Sequence, residues 1–221
     1  MIRPLKIVLA SILFLSAALA QGPPVETGPF RQPDLVELVK LDPTIKLDIR
    51  YATKNNFLGK AVYKQPRAFL QRPAAEALVR VNQSLRKSGY GLVVFDGYRP
   101  WAVTKVFWDV TPADKKIFVA DPSKGSRHNR GCAVDLSLFD LQTGAEVKMP
   151  SEYDEMTERA HINYECATPE SKRLRELLRA AMAAEGFRSL RAGVVALRLQ
   201  GLEGVSDHER EVFKDETKGQ G

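Results

Sequence analysis

The stretch YGLVVFDGYRP, from Tyr90 to Pro100, constrains the fold of this chain more than any other. Its apolar residues run without interruption from Leu92 to Phe95, which predicts a buried strand followed by a turn, with Arg99 just past the strand end. The segment before it, RPAAEALVRVNQSLRKSG, has apolar residues at helical spacing and predicts a helix that starts at Pro73 and ends at Gly89. A helix therefore leads into a buried strand near the centre of the chain.

The other predicted elements mix helices and strands without strict alternation. A second helix is predicted over Ser171–Glu185, closing at Gly186, and an extended segment or strand over Ile45–Tyr51. A chain of 221 residues with 44% apolar content is long enough for one domain with a substantial core and too short for two generous ones. The predicted fold class is therefore α+β, in a single domain.

The first residues have the pattern of an exported protein. Arg3 and Lys6 precede an apolar stretch that ends in small residues, which predicts a signal peptide over residues 1–20. A Pro- and Gly-rich linker follows over 21–34. A membrane anchor is the alternative, but the apolar run is shorter than the ~20 residues that span a bilayer. We therefore predict a secreted, periplasmic protein without stable membrane insertion after cleavage.

Charge and cysteine content limit the possible partners. The net charge is +6, but Lys and Arg are scattered among acidic residues and form no basic stripe, so nucleic-acid binding is not expected. Export would permit a disulfide between the two cysteines, Cys132 and Cys166, although Cys132 lies inside the motif considered next. The sequence leaves that pairing and the oligomeric state open.

The segment SRHNRGCAVD, from Ser126 to Asp135, contains several residues of the types that bind metal ions or take part in catalysis. Its His128 and Asp135 are too far apart for adjacent turns of one helix, but they suit one ligand on a loop and another on the following strand. Gly131 between them permits a bend, and imidazole and carboxylate are both good zinc ligands. The alternative is a histidine satisfied in the core beside a surface acid.

Several blocks together resemble the zinc D-alanyl-D-alanine dipeptidases. SRHNRGCAVD fits the pattern Ser-x-His-x-x-Gly-x-Ala-x-Asp of that family, and DIRYATKNNFLGKAVY, FDGYRP and MPSEYDEMTERAH are similar to further blocks in the same order. The resemblance extends from Leu35 to about Phe187. It implies an antiparallel sheet flanked by helices, one Zn²⁺ per chain, and the dipeptide D-alanyl-D-alanine as a small-molecule substrate from peptidoglycan metabolism.

The resemblance also implies roles for particular residues. His128 and Asp135 would be zinc ligands, and Arg99 would polarise the scissile carbonyl and stabilise its oxyanion. Ser126 would hold the substrate carboxylate, and Asp154 would hold its ammonium group. These roles suit amide hydrolysis, which needs activated water and a fixed cation where negative charge develops. Two alternatives remain: Arg99 as an exposed turn residue, and Asp154 as the cap of a helix through EYDEMTERAH.

One part of the family pattern is missing. The family supplies a third histidine ligand and a general-base glutamate in a Glu-x-x-His block, just after a helix that ends in Gly-Phe. Gly186 and Phe187 are present, but the following RSLRAGVVALRLQGLEGVSD does not contain this block. The other histidines, His161 and His208, are possible replacements for the lost ligand.

Codons permitted by this sequence encode the missing block when they are read in another frame. The residues from Gly193 onward permit the codons GGA GTG GTG GCA CTT CGA CTA CAA GGG, and reading from the second base gives EWWHFDYK, the family block. We infer a frameshift between Phe187 and Gly193, by a net gain of one base or loss of two, either in the gene itself or as an error in its sequencing. The sequence therefore predicts a C-terminally incomplete zinc dipeptidase-like domain over 35–192 and an out-of-frame tail over 193–221.

Two classes of function follow from this interpretation. The first is a zinc metallopeptidase that hydrolyses D-alanyl-D-alanine in the cell envelope, impaired in this chain. The second is a non-catalytic remnant, or a module that binds D-alanyl-D-alanine. A carboxypeptidase acting on longer wall peptides is a further possibility within the enzyme class.

Overall fold

The computed structural model describes residues 22–25, 27 and 30–189, together with the backbone of 196–199. The predicted signal peptide, His208 and most of the predicted out-of-frame tail lie outside these residues. In chain order, the strands are β1 Leu35–Glu37, β2 Lys46–Leu47, β3 Phe69–Gln71, β4 Tyr90–Asp96, β5 Ala133–Asp140, β6 Phe187–Ser189 and β7 Ala196–Leu199. The α-helices are α1 Leu38–Leu41, α2 Arg72–Arg86, α3 Trp101–Val110 and α4 Pro169–Ala184, and short 3-10 helices cover Arg50–Ala52, Ala113–Phe118 and Glu158–Ala160.

The strands form a main sheet and a separate two-stranded sheet. The main sheet has the order β2-β4-β5-β7-β6, in which β2 runs parallel to β4 and every other neighbouring pair is antiparallel. The strands β1 and β3 form a separate antiparallel pair beside it. This mixture confirms the predicted α+β class in a single domain, with one parallel strand at the edge of a mainly antiparallel sheet.

One face of the main sheet is covered by α2 and α4, and the hydrophobic core lies between them. Buried side chains of α2 and α4, such as Leu78 and Leu178, pack in one cluster with Leu92 of β4 and Leu136 of β5. Because successive side chains of a strand point to opposite faces, Asp135 lies on the face away from α2 and α4. That face also carries a smaller apolar cluster of Val93, Phe95 and Phe139, so the polar groups of the site lie beside a second patch of core.

The predicted helices agree closely with those observed. The helix α2 has proline in its first turn, as predicted, and α4 begins at Pro169, where the Thr168 side chain accepts a hydrogen bond from the Ser171 backbone N–H. The predicted strand over Ile45–Tyr51 is shorter than expected. It ends after Leu47 because the backbone turns into a 3-10 helix, and the Tyr51 carbonyl then accepts hydrogen bonds from a returning loop.

Two further observations bear on the earlier expectations. Cys132 is buried and Cys166 is exposed, and the two are not joined in a disulfide. None of the helices in the described part of the chain has the length and apolar character needed to cross a membrane.

Candidate active site

A bulge in β4 places two carboxylates side by side. The register between β4 and β5 shifts after Val94, so that Phe95 is an extra residue and Asp96 lies opposite Asp135. A β-bulge changes the direction in which the following side chain points. Asp96 thereby joins Asp135 on the face away from the helices, at 1% and 8% exposure respectively.

His128 lies in the loop that leads into β5, and its ring is held by the turn after β4. The Nδ1 atom is 2.9 Å from the backbone carbonyl of Gly97. Because a carbonyl can only accept, Nδ1 is the donor in this contact. The other ring nitrogen, Nε2, is 3.5 Å from Oδ1 of Asp135. Nε2 and the carboxylate therefore face the same small space.

The loop around His128 is fixed by buried polar contacts. Asn129 is fully buried; its amide donates to the Arg99 carbonyl and the Thr104 hydroxyl, and its carbonyl oxygen accepts from the Ser126 backbone N–H. Gly131 has a φ of 66° and accepts a hydrogen bond from the Gln71 backbone N–H. The loop geometry thus depends on an asparagine and a glycine that bear no catalytic chemistry of their own.

Ser126 is positioned by the same loop. Its hydroxyl oxygen accepts a hydrogen bond of 3.2 Å from the His128 backbone N–H. A serine hydroxyl has one proton to donate in addition to its acceptor capacity. Because the N–H contact uses only an acceptor position, the Ser126 hydroxyl can donate to an anionic group at the site.

Arg99 joins the two carboxylates. Its guanidinium is 2.7 Å from Asp96 Oδ2 and 3.4 Å from Asp135 Oδ2, and it lies over the Phe107 ring at 4.7 Å. Burial opposes the charge on Arg99, but Asp96 and its other anionic neighbours hold the pKa of the guanidinium well above its usual range. With 8% exposure, Arg99 is not the surface turn residue that remained as an alternative.

Asp154 lies beside this cluster and is linked to it by Tyr51. The Tyr51 hydroxyl donates to Asp154 Oδ1 at 2.7 Å, and the Arg99 guanidinium lies 5.6 Å from the Tyr51 ring. Asp154 has a φ of 63° in a turn, and the short helix that follows is capped by Thr157, so Asp154 does not cap a helix. Burial and the nearby charge of Asp135 raise the pKa of Asp154 to about 6.

Five predicted site residues are therefore found in one region of the structure. His128, Asp135, Arg99 and Ser126 form one buried group, and Asp154 is connected to it through Tyr51. The geometry leaves their chemical roles as predictions. His161, suggested as a replacement ligand, is exposed against Phe118 and is not part of any group of metal-ligating side chains among the described residues.

Sequence reasoning missed Asp96, although the residue lies in the quoted block FDGYRP. Its two oxygens together accept hydrogen bonds from the Tyr63 hydroxyl, the Gly97 backbone N–H and the Arg99 guanidinium. The signal available was an acid three residues before an arginine, at the end of a strand predicted to be buried. An acid in such a place needs a cationic partner, and Arg99 is the nearest in sequence.

The donor groups in this cluster fit part of a metal site. Ligand atoms of Asp96, His128 and Asp135 all lie within 4.8 Å of one another. Asp96 is the poorest ligand of the three, because Arg99, Tyr63 and the Gly97 backbone already occupy its oxygens. His128 Nε2 and the Asp135 carboxylate are the suitable pair. Burial opposes ionisation of Asp135, but its contacts with His128 and Arg99 hold the pKa below its ordinary value.

The fold and this grouping define the class of protein: a peptidase whose site carries donor groups for a metal ion and a fixed guanidinium. The comparisons with known proteins identify the family. The chain belongs to the D-Ala-D-Ala dipeptidase family, whose sequence model matches residues 31–193.

Named relatives agree with this assignment. The D-alanyl-D-alanine dipeptidase of Escherichia coli (strain K12) is 36% identical over 154 residues, which cover 70% of this chain and 78% of the relative. The D-alanyl-D-alanine dipeptidase of Enterococcus faecalis (strain ATCC 700802 / V583) is 33% identical over 168 residues, covering 66% and 82%. Among solved structures, an LD-carboxypeptidase studied for peptidoglycan recognition aligns with a TM-score of 0.44 at 19% identity, covering 79% of this chain and 71% of that one.

Proposed function

We propose that this site is built for the zinc-dependent hydrolysis of D-alanyl-D-alanine in peptidoglycan metabolism. The observation that carries the proposal is the buried group of His128, Asp135 and Arg99, with an unpaired oxygen of Asp154 nearby. This arrangement offers metal donors, a fixed cation and an anchor for a positive charge in one place. A short zwitterion fits those three features better than a long polymer does.

His128 and Asp135 would hold the zinc ion through Nε2 and a carboxylate oxygen. The hydrogen bond from Nδ1 to the Gly97 carbonyl fixes the tautomer and the ring orientation that such a ligand needs. When bound, zinc supplies Lewis acidity and lowers the pKa of water, which is the chemistry that amide hydrolysis requires.

Arg99 would stabilise the negative charge that develops on the scissile carbonyl oxygen. Its contacts with Asp96 and Asp135 hold the guanidinium in place before substrate arrives, so little reorganisation is needed during the reaction. Asp96 is in this account a positioning residue, because it acts through Arg99.

The two ends of the dipeptide would be held by Ser126 and Asp154. The Ser126 hydroxyl can donate to the substrate carboxylate, and the Asp154 oxygen that lacks a hydrogen bond can accept from the substrate ammonium. At pH 7 the Asp154 carboxylate is mainly ionised, since its pKa is about 6, and most of a peptide's amino terminus is protonated. Both partners therefore carry charge under neutral conditions.

The chain as written is proposed to be impaired, because the third zinc ligand is missing. The strand register supports the frameshift interpretation: Ala196 of β7 is the backbone partner of Asp135. In the alternative frame the histidine codon takes its first two bases from the codon of Ala196. The restored histidine would thus enter the chain opposite one zinc ligand and close to the other.

We further propose that the protein acts outside the cytoplasm. This proposal rests on the signal-peptide pattern of residues 1–20 and on a substrate that belongs to the cell wall. N-terminal sequencing of the protein recovered from a periplasmic fraction tests it. A mature terminus at Gln21 supports export, whereas recovery of the intact chain from the cytoplasm contradicts it.

The experiment that tests the function compares free and blocked dipeptide. We expect a chain with the reading frame restored to release D-alanine from D-alanyl-D-alanine at pH 7 and to reject the N-acetylated dipeptide. The Asp154→Asn variant serves as the control for the ammonium anchor and should lose most of that preference. Equal rates on both substrates would favour a carboxypeptidase, and binding without turnover would favour the non-catalytic alternative.

A further inference from the structure

The Tyr153 hydroxyl is buried at the site, and no described residue makes a close hydrogen bond with it, although Tyr51 and Asp135 lie near it. Its oxygen is shielded from solvent, and the same holds for Oδ2 of Asp154, the next residue along the chain. A buried polar group without a partner costs free energy, so such groups are rare in folded proteins unless they serve a ligand. Two such groups on adjacent residues indicate a position where a ligand supplies the missing hydrogen bonds.

The Tyr153 ring is held firmly, so the direction of its hydroxyl is set by packing. The ring lies 4.7 Å from the Phe95 ring and 5.8 Å from the Tyr51 ring, measured between centroids. The Arg50 guanidinium lies 5.6 Å from it. These apolar and stacking contacts need only a phenyl ring. The hydroxyl is therefore not required for packing.

The surroundings of this hydroxyl are negatively charged. Burial and nearby anionic groups, including Asp135 and Asp154, raise the pKa of Tyr153 well above its ordinary value, so the phenol stays protonated. Its proton can point to either carboxylate, which leaves the oxygen lone pairs free to accept. Tyr153 and Asp154 also line the same open pocket of about 510 Å³, together with Arg50, Lys54 and Arg159. Two adjacent acceptors suit a cationic hydrogen-bond donor.

We propose that the Tyr153 hydroxyl is a second acceptor for the amino-terminal ammonium of the substrate, beside the free oxygen of Asp154. A primary ammonium has three N–H donors, and these two atoms can accept from two of them at once. An N-acylated peptide has one N–H and no charge at this position, so it satisfies at most one of the acceptors. Tyr153 is thus a specificity-determining residue that selects a free amino terminus. The inference rests on the proposed function and deepens it.

Binding by the chain as written tests the inference, because ammonium recognition does not need the missing zinc ligand. Dissociation constants for D-alanyl-D-alanine and its N-acetyl form are measured by NMR titration at pH 7, for the unmodified chain and for Tyr153→Phe. We expect the substitution to weaken binding of the free dipeptide about tenfold or more, as for hydrogen bonds to charged groups, and to leave the N-acetyl form unchanged. Tyr164→Phe, in the segment that leads into α4, is the matched control and should change neither.

Thermal unfolding of the same variants separates recognition from a structural role. Because the hydroxyl makes no close hydrogen bond with the described residues, Tyr153→Phe should unfold at about the same temperature as the unmodified chain or higher. A lower unfolding temperature with unchanged preference for the free dipeptide would show a structural hydroxyl and overturn the inference.

The Asp154→Asn variant distinguishes failure of this inference from failure of the proposed function. If Asp154→Asn abolishes the preference for the free dipeptide and Tyr153→Phe retains it, the proposed function stands and the role of Tyr153 is wrong. If the unmodified chain shows no preference for the free dipeptide, or binds neither form, both are wrong.

Discussion

At the scale of single residues, the site depends on how buried charges are paired. Arg99 and Asp96 are both nearly inaccessible to water, and each would be costly to bury alone. The Asp96 carboxylate is bonded to the guanidinium and also accepts hydrogen bonds from Tyr63 and the Gly97 backbone. This network keeps Arg99 at a fixed position next to Asp135. A residue without contact to substrate can therefore control where Arg99, the cation proposed to act in catalysis, lies.

We expect Asp96→Asn to destabilise the protein strongly. Asparagine keeps the size of the side chain but removes the charge, which leaves the buried guanidinium of Arg99 with only the longer contact to Asp135. Removing one partner of a buried ion pair typically costs about 3 kcal/mol or more in the free energy of unfolding. Urea denaturation measures the change.

Asp109→Asn is the matched control for this measurement. Asp109 also pairs with a cation, Lys105, but its side chain is 52% exposed and the pair lies on the surface of α3. Exposed pairs of this kind contribute about 0.5 kcal/mol or less. Equal losses in the two variants would mean that the Asp96–Arg99 pair is not the buried, stabilising contact described above.

At the scale of elements, two irregular segments build the site between regular ones. The bulge at Phe95 turns Asp96 towards Asp135, and the loop before β5 presents His128. The loop passes close to the pair of β1 and β3, and Gly131 makes this approach possible. A Cβ atom added there would lie 2.5 Å from Leu35 Cδ2 and 3.3 Å from the Gln71 backbone nitrogen.

Gly131→Ala should therefore cost more than its backbone conformation alone explains. Gly59 provides the comparison, since it has nearly the same φ, 64° against 66°, but no atom within 4 Å of an added Cβ. We expect Gly59→Ala to lower the free energy of unfolding by about 1 kcal/mol, the cost of a left-handed residue. Gly131→Ala should add about 1–2 kcal/mol from the steric contact. Losses of the same size in urea denaturation would show that the close approach is absent.

The regular elements were predictable from sequence because their patterns are local. The helix α2 has an apolar face at helical spacing, a proline at its start and a glycine after its end, and the structure confirms it. The strand β4 was visible as an uninterrupted apolar run. The helix α3 was not predicted, since its apolar and polar residues alternate less clearly between two prolines.

The site was only partly predictable, for a different physical reason. His128 and Asp135 were found because both lie in one short segment, and Arg99, Ser126 and Asp154 because their blocks resemble those of the family. The bulge at Phe95, the link from Tyr51 to Asp154 and the buried hydroxyl of Tyr153 depend on contacts between distant segments. The spacing of residues within one segment does not predict contacts between distant segments, so these features were identified only in the three-dimensional structure.

At the scale of the whole molecule, the domain combines the residues proposed to bind the substrate with a proposed metal site that lacks one ligand. The residues proposed to bind the two ends of the dipeptide and to stabilise the oxyanion all lie before α4 ends. The family block with the third ligand and the general base would follow β6, where this chain has GVVALRLQ. We propose that the lack of this ligand and this base is what prevents the chain from working as a dipeptidase.

The most direct test compares the chain as written with a chain in which EWWHFDYK replaces GVVALRLQ. Both are dialysed against chelator and supplied with zinc, and bound metal and D-alanine release are measured. We expect the restored chain to hold one zinc ion and to hydrolyse D-alanyl-D-alanine. The chain as written should bind zinc at least ~10 to 100-fold more weakly and turn over at least ~10² to 10⁴-fold more slowly, because it lacks a ligand and a general base. Near-equal zinc binding and D-alanine release by the two chains would contradict the account.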